Sequence, residues 1–161
     1  MIVEDAYVVE QGQLVIVQVK KELVMPYTWS ADLETGHAAI DNQHRQLIGA
    51  ANALSDAHRN GKGLQEVERT MEFLVTYTVK HFVDEEKLQQ TYNYPEYPAH
   101  KRLHDAFQSE IQELAEKLFQ DGPTDEFIAK VYVTVGEWLF NHIKGEDFKM
   151  IAYIQACRAR I

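Results

Sequence analysis

The sequence predicts an all-α protein: an up-down-up-down four-helix bundle with an N-terminal arm and a short C-terminal helix. Three observations predict it. Apolar residues recur at spacings of three and four through four long segments, the period of a one-sided helix. The links between those segments are short and carry glycine or proline, which makes consecutive helices antiparallel neighbours. A chain of 161 residues also suits one domain around one core.

Residues 1–25 differ from the rest. "AYVVEQGQLVIVQVKKELV" is rich in Val and Ile, with "EQGQ" as a turn. A short hairpin and a flexible leader both fit it, and it is set apart as an extension of unknown role. The bundle is placed at residues 26–161. "PYTWSADLETGHAAI" reads as an arm with no helical period. Helix A spans about residues 41–58, on Leu47, Ile48, Ala51 and Leu54, and Gly61 and Gly63 end it. Helix B spans about 64–90, with Val67, Met71, Leu74, Val75, Thr78, His81, Phe82, Glu85 and Leu88 on one stripe. Pro95 and Pro98 mark a connection, and Pro98 opens helix C, about 98–120. After "DGPTD", Thr124 or Asp125 caps helix D, about 125–144. "GED" then interrupts the chain before a final helix, "FKMIAYIQACRAR".

Composition narrows the function. The formal charge of −9 disfavours nucleic acid and anionic membranes as partners. No apolar run approaches membrane-spanning length. The opening residues lack the basic region and apolar core of a signal peptide. Cys157 is the single cysteine, so no internal disulfide forms, and a reducing cytoplasm is expected. Lys87, Lys101, Glu110, Glu113 and Glu116 read as solvated-face charges.

The chemistry lies in the histidines, of which there are seven. In "HKRLHDAF", His100 and His104 are four apart, and at about 100° per residue they share one helix face. His81 and Glu85 repeat that spacing on helix B. His142 and Asp147 are five apart, and a bend at Gly145 would return Asp147 to the face of His142. His44 precedes Leu47 and Ile48 by three and four, which turns it to the core. His44, His100 and His104 lie near the starts of A and C, while His81 and His142 lie near the ends of B and D. In an antiparallel bundle all fall at one end. Each pair alone has an ordinary explanation as a polar helix pair. Together they bring five imidazoles and two carboxylates to one interior level. Unpaired polar groups are costly there, and seven donors are too many for one zinc. A dinuclear centre bridged by two carboxylates fits. His58 and His37 are out of register; His58 suits a helix C-terminus, and His37 sits in the arm.

The segments "IDNQHRQL", "HFVDEE", "YPEYPAHKRLH" and "WLFNHIKGED" resemble, in this order, the ligand motifs of bacterial hemerythrin-like domains (bacteriohemerythrins). The resemblance covers about residues 29–153. His37 departs from it, since that arm position is usually apolar in the family. The resemblance implies two irons bridged by Glu85, Asp147 and an oxo or hydroxo group. His100, His104 and His142 would fill one iron, and His44 and His81 would leave the other an open position. Iron suits such mixed imidazole and carboxylate ligands. The implied function is reversible dioxygen binding, as hydroperoxide at the open iron, by an oxygen carrier, store or sensor rather than an enzyme. Leu47, Phe82, Trp138, Leu139 and Ile143 would line a dry oxygen pocket, although an apolar stripe is also ordinary core. Asp41, Gln43 and Asn141 are candidates to orient the imidazoles.

The expected partner is dioxygen, with other small diatomic ligands or anions, and a neighbouring signalling domain for a sensor. The alternative is a di-iron oxidase, peroxidase or nitric-oxide-handling enzyme on the same site, which needs a substrate route and an electron source. A metal-free interaction module would leave the histidines unexplained.

Overall fold

The computed structural model of the chain describes residues 4–10, 13–19 and 26–159. Strands β1 (Glu4–Glu10) and β2 (Gln13–Val19) pair antiparallel, from Glu4 opposite Val19 to Glu10 opposite Gln13. Of the two readings of this segment, the hairpin is the one observed; the expected turn at "EQGQ" falls partly outside the described residues.

The bundle follows as α1 (Ala38–Arg59), α2 (Leu64–Thr91), α3 (Tyr97–Asp121) and α4 (Asp125–His142), with α5 (Phe148–Arg158) at the end. Helix α1 packs on α2 and α4, and α3 packs on α2 and α4, which closes the four-helix square. The punctuation works as its chemistry requires. Gly61 and Gly63 take positive φ between α1 and α2, and Gly122 does so after α3. Thr124, not Asp125, caps α4: its hydroxyl accepts from Phe127 N–H at 3.1 Å. Asp125 instead pairs with His58, so that histidine ties the end of α1 to the start of α4.

One expectation is corrected. "GED" does not leave the helical path, because it lies within a π-helical segment. Residues Ile143–Asp147 form a wide π turn that is followed without a gap by α5. A π turn bonds i to i+5, so residues five apart take the stacking that four apart have in an α-helix.

The arm at residues 26–37 has no helical period because it follows the bundle rather than itself. Tyr27 N–H donates to Asn52 Oδ1 at 3.1 Å, and Asn52 Nδ2 returns a bond to the Tyr27 carbonyl at 2.9 Å. The Tyr27 ring rests on Gly136 of α4, where a Cβ would lie 1.9 Å from it. Leu33, in a single 3-10 turn (Ala31–Leu33), enters the core with no exposed area. Asp41 closes the arm onto α1 by accepting from Thr35 N–H at 2.9 Å, Thr35 Oγ1 at 2.7 Å and Gly36 N–H at 3.2 Å.

The apolar interior has two parts. A long core includes Leu47, Leu54, Met71, Leu74, Phe82, Phe107, Ile111, Leu118, Val131, Leu139 and Ile143. A smaller one gathers Tyr94, Met150, Ile151 and Ile154 beyond the π turn. Between them in helix order lies a polar layer. Among the described residues, no helix is long and apolar enough to cross a membrane.

The Tyr27 seat gives a direct test. Gly136→Ala should destabilise the fold by about 1–3 kcal/mol, the usual cost of overpacking, read as a lower urea midpoint. An unchanged midpoint would mean that the arm does not depend on this contact.

Candidate metal centre

The polar layer contains the seven residues singled out in the sequence. His44, His81, Glu85 and Asp147 have no exposed area, His100 and His104 have 1%, and His142 has 5%. Helix geometry brings each one in. His44 is in the second turn of α1, His81 and Glu85 share a face of α2, and His100 and His104 share a face of α3. The π turn places Asp147 beside His142, with His142 Nε2 3.2 Å from Asp147 Oδ1.

The three imidazoles of α3 and α4 form a triangle. His100, His104 and His142 hold their Nε2 atoms 3.0 Å apart on every side. An ion about 2.1 Å from each nitrogen, a normal metal–imidazole length, would see them about 90° apart, the angle of an octahedron. His44 and His81 form a second group, with ring centroids 4.7 Å apart.

Each carboxylate divides its oxygens between the two groups. Glu85 turns Oε1 to His44 and His81 at 3.9 and 3.8 Å, and Oε2 to His100 and His104 at 3.7 and 3.3 Å. Asp147 turns Oδ2 to His44 at 3.2 Å, and Oδ1 to His100 and His142 at 3.4 and 3.2 Å. Two donor sets result: Glu85, His100, His104 and His142, and His44, His81, Glu85 and Asp147. The atoms of each set lie within 4.8 Å of one another.

A cation fits this layer because hydrogen bonds do not complete it. Both oxygens of Glu85 and of Asp147, His81 Nε2 and both ring nitrogens of His44 are buried without a hydrogen-bond partner. Such groups are costly unless another ligand satisfies them.

The outer nitrogens set two of the tautomers. His81 Nδ1 lies 3.0 Å from Gln43 Oε1, and His104 Nδ1 lies 3.2 Å from Glu86 Oε1. Both acceptors place the proton on Nδ1 and leave the Nε2 lone pair facing inward. Of the three residues considered for orienting the imidazoles, Gln43 makes this contact. Asp41 holds the arm instead, and Asn141 is exposed.

Electrostatics separate the imidazoles in the metal-free chain. Burial pushes His81 down to about 4, against the pull of Glu85. Burial also lowers His100, but Asp147 and Glu85 outweigh it and raise that imidazole to about 9. His44 is raised as well, burial being overcome by Asp147 and Glu85. Burial pushes both carboxyls up, yet the surrounding imidazoles hold Glu85 and Asp147 below the usual carboxylate range.

Of the five apolar residues expected around the site, Leu47, Phe82, Leu139 and Ile143 belong to the long core, and the partly buried Trp138 packs against it. Leu47, Phe82, Leu139 and Ile143 are buried, with exposures of 3%, 2%, 2% and 0%. The Phe82 ring stacks on His104 at 3.8 Å, and Trp138 on His142 at 4.2 Å. Three neighbours were not singled out in the sequence. Trp29 of the arm stacks on His44 at 6.3 Å, with the Arg45 guanidinium 4.5 Å from the indole ring. Glu86 bonds His104, and Gln89, one turn beyond Glu85, is fully buried. Lys101, read as a solvated charge, lies 3.6 Å from Glu86 Oε2. His37 is the residue just before α1 and His58 pairs with Asp125; neither joins the layer.

Four helices that close on a buried layer of imidazoles and carboxylates define a cation-binding helical bundle. The chain belongs to the hemerythrin family: the family model described as the Hemerythrin HHE cation binding domain matches residues 35–154. It is 35% identical over 130 residues to a bacteriohemerythrin of Pseudomonas paraeruginosa, covering 81% of this chain and 80% of that one. It is 30% identical over 128 residues to a myohemerythrin of Theromyzon tessulatum, covering 80% and 93%. A crystal structure of wild-type hemerythrin superposes with a TM-score of 0.67 at 28% identity, covering 79% of this chain and 95% of that one.

The pKa directions give a pH test. His100 is raised from 6.5 to about 9, so its contribution is complete below 6.5 and is lost as pH rises through about 9. His81 is lowered from 6.5 to about 4, so its contribution is present above 6.5 and is lost as pH falls through about 4. The urea midpoint of the metal-free chain should therefore fall on both sides, and His100→Gln should flatten only the alkaline limb. An alkaline limb unchanged in that variant would contradict the assignment.

Proposed function

We propose that this chain is a non-haem di-iron protein that binds dioxygen reversibly, as a carrier, store or sensor rather than as an enzyme. His100, His104 and His142 would hold one iron, and His44 and His81 the other. Glu85 and Asp147 would bridge them. The observation that carries this reading is the division of both carboxylates, one oxygen toward each imidazole group. Such a division suits two ions side by side better than one.

The unequal count matters. With both bridges, one ion would receive five protein donors and the other four, so the His44–His81 side retains the more open position. Mixed imidazole and carboxylate ligands suit iron, and the membership of the hemerythrin family supports that metal. When bound, a ferrous pair supplies two electrons and a coordination position for a small ligand.

The chain's own residues do the rest. The two carboxylates bring negative charge into the layer, which would offset the charge of the cations held there. Gln43 and Glu86 keep His81 and His104 with their lone pairs inward. We assign the oxygen pocket to Leu47, Phe82, Trp138, Leu139 and Ile143, whose apolar surfaces exclude water and protons. Trp29 covers the outer side of His44. We place the iron-holding domain at residues 26–161, treat residues 1–25 as an extension or a link to a signalling module, and place the protein in the cytoplasm. The single cysteine among 161 residues agrees with that compartment. Other small diatomic molecules and anions would compete for the same position.

The test is cyclic oxygenation of the iron-loaded chain. A visible absorption band should appear in air, disappear under argon and return over repeated cycles. A band that decays irreversibly on first exposure would favour oxidase chemistry, and failure to take up iron would end the di-iron reading. Leu47→Ala should leave iron content intact and shorten the life of the oxygenated form. An unchanged lifetime would remove Leu47 from the pocket.

A further inference from the structure

Helix α2 carries three acidic residues in a row, Asp84, Glu85 and Glu86. At about 100° per residue, the outer two flank the inward Glu85 on opposite sides. Glu86 bonds His104 directly, with Lys101 beside it. Asp84 reaches the other way, through an intermediary. Gln43 Nε2 donates to Asp84 Oδ2 at 2.6 Å, and Lys80 donates to the same oxygen at 2.6 Å. The far end of the same amide, Gln43 Oε1, stands 3.0 Å from His81 Nδ1. A half-exposed carboxylate is thus joined to a buried imidazole through one side chain.

An amide has a donor end and an acceptor end, and its neighbours decide which way it faces. An ionised Asp84 only accepts, so it fixes the amide nitrogen of Gln43 toward itself. The amide oxygen must then face His81. That oxygen accepts only, so the His81 proton sits on Nδ1, and Nε2 presents a bare lone pair among the other donors. With the amide reversed, its NH2 would face Nδ1 and the ring proton would move to Nε2, where no cation can be bound. Gln43 is 7% exposed, so water has little access to hold the amide in place of Asp84.

We propose that Asp84 is a positioning residue: acting through Gln43, it sets the tautomer of His81, and with it the hold of the His44–His81 side on its iron. This rests on the di-iron reading above.

Asp84→Lys tests it by inversion, because an ammonium offers only donors and should turn the amide round. Two quantities are read. One is the His81 tautomer in the metal-free chain, from the nitrogen-15 chemical shifts of its ring. The other is iron retention by the loaded chain against a ferrous chelator. Asp84→Lys should move the ring proton to Nε2 and release one of the two irons at least about tenfold faster, in the range of lost outer partners of metal-bound histidine. Asp84→Asn, whose amide oxygen can still accept, should restore the wild-type tautomer and retention. Lys80→Ala should match wild type in both.

Wild-type tautomer and retention in Asp84→Lys, with two irons still bound, would overturn the proposal and leave the di-iron reading standing. A wild-type chain that binds no iron would overturn the reading itself. If Asp84→Lys does not fold, Gln43→Met removes the acceptor without adding charge. It should lose the same iron, and full retention there would equally overturn the proposal.

Discussion

Seven polar side chains share one buried layer, and hydrogen bonds among them leave several of their atoms unpaired. Five imidazoles and two carboxylates stand there with almost no exposure to water. Three Nε2 atoms meet at 3.0 Å, where neutral rings with inward lone pairs would only repel. Four carboxylate oxygens have no hydrogen-bond donor. Leaving such groups unpaired costs far more than an ordinary fold can spare. Positive charge at the centre of the layer removes the conflict, and the rest of the bundle can be understood as the means of holding the layer in place.

Two features of the backbone serve that end. The π turn at Ile143–Asp147 inserts one extra residue into the last helix, which lets His142 and Asp147 face the same way while Met150 and Ile151 return to an apolar core. The arm, fixed by Tyr27 against Gly136 and by Asp41 on Thr35, lays Trp29 over His44. The apolar cores on either side shield the layer. Low dielectric strengthens the attraction between carboxylates and cations, and it raises the cost of every unpaired group when the cations are lost.

Much of this was legible in the sequence because the helix period is rigid. Spacings of three and four turned His44, His81, Glu85, His100 and His104 inward, and short links put all of them at one end. The five-residue gap between His142 and Asp147 was harder. Gly145 suggested a bend as the means, whereas the chain stays helical there with a wider turn, which local sequence does not dictate. Trp29 was not legible at all, since the arm takes its conformation from the bundle beneath it. Asp84 and Glu86, on the flanks of α2, were not singled out. A signal was present: two acidic residues at about 100° on either side of an inward one can each reach a neighbouring helix. What they reach depends on crossing geometry, and a sequence does not state that.

The central claim is that two ions occupy this layer, sharing Glu85 and Asp147. Anomalous diffraction at the iron edge, from crystals of the iron-loaded chain, tests it most directly. The account predicts two peaks inside the bundle, one beside His100, His104 and His142 and the other beside His44 and His81, with both carboxylates between them. A single peak, or peaks away from these side chains, would contradict it.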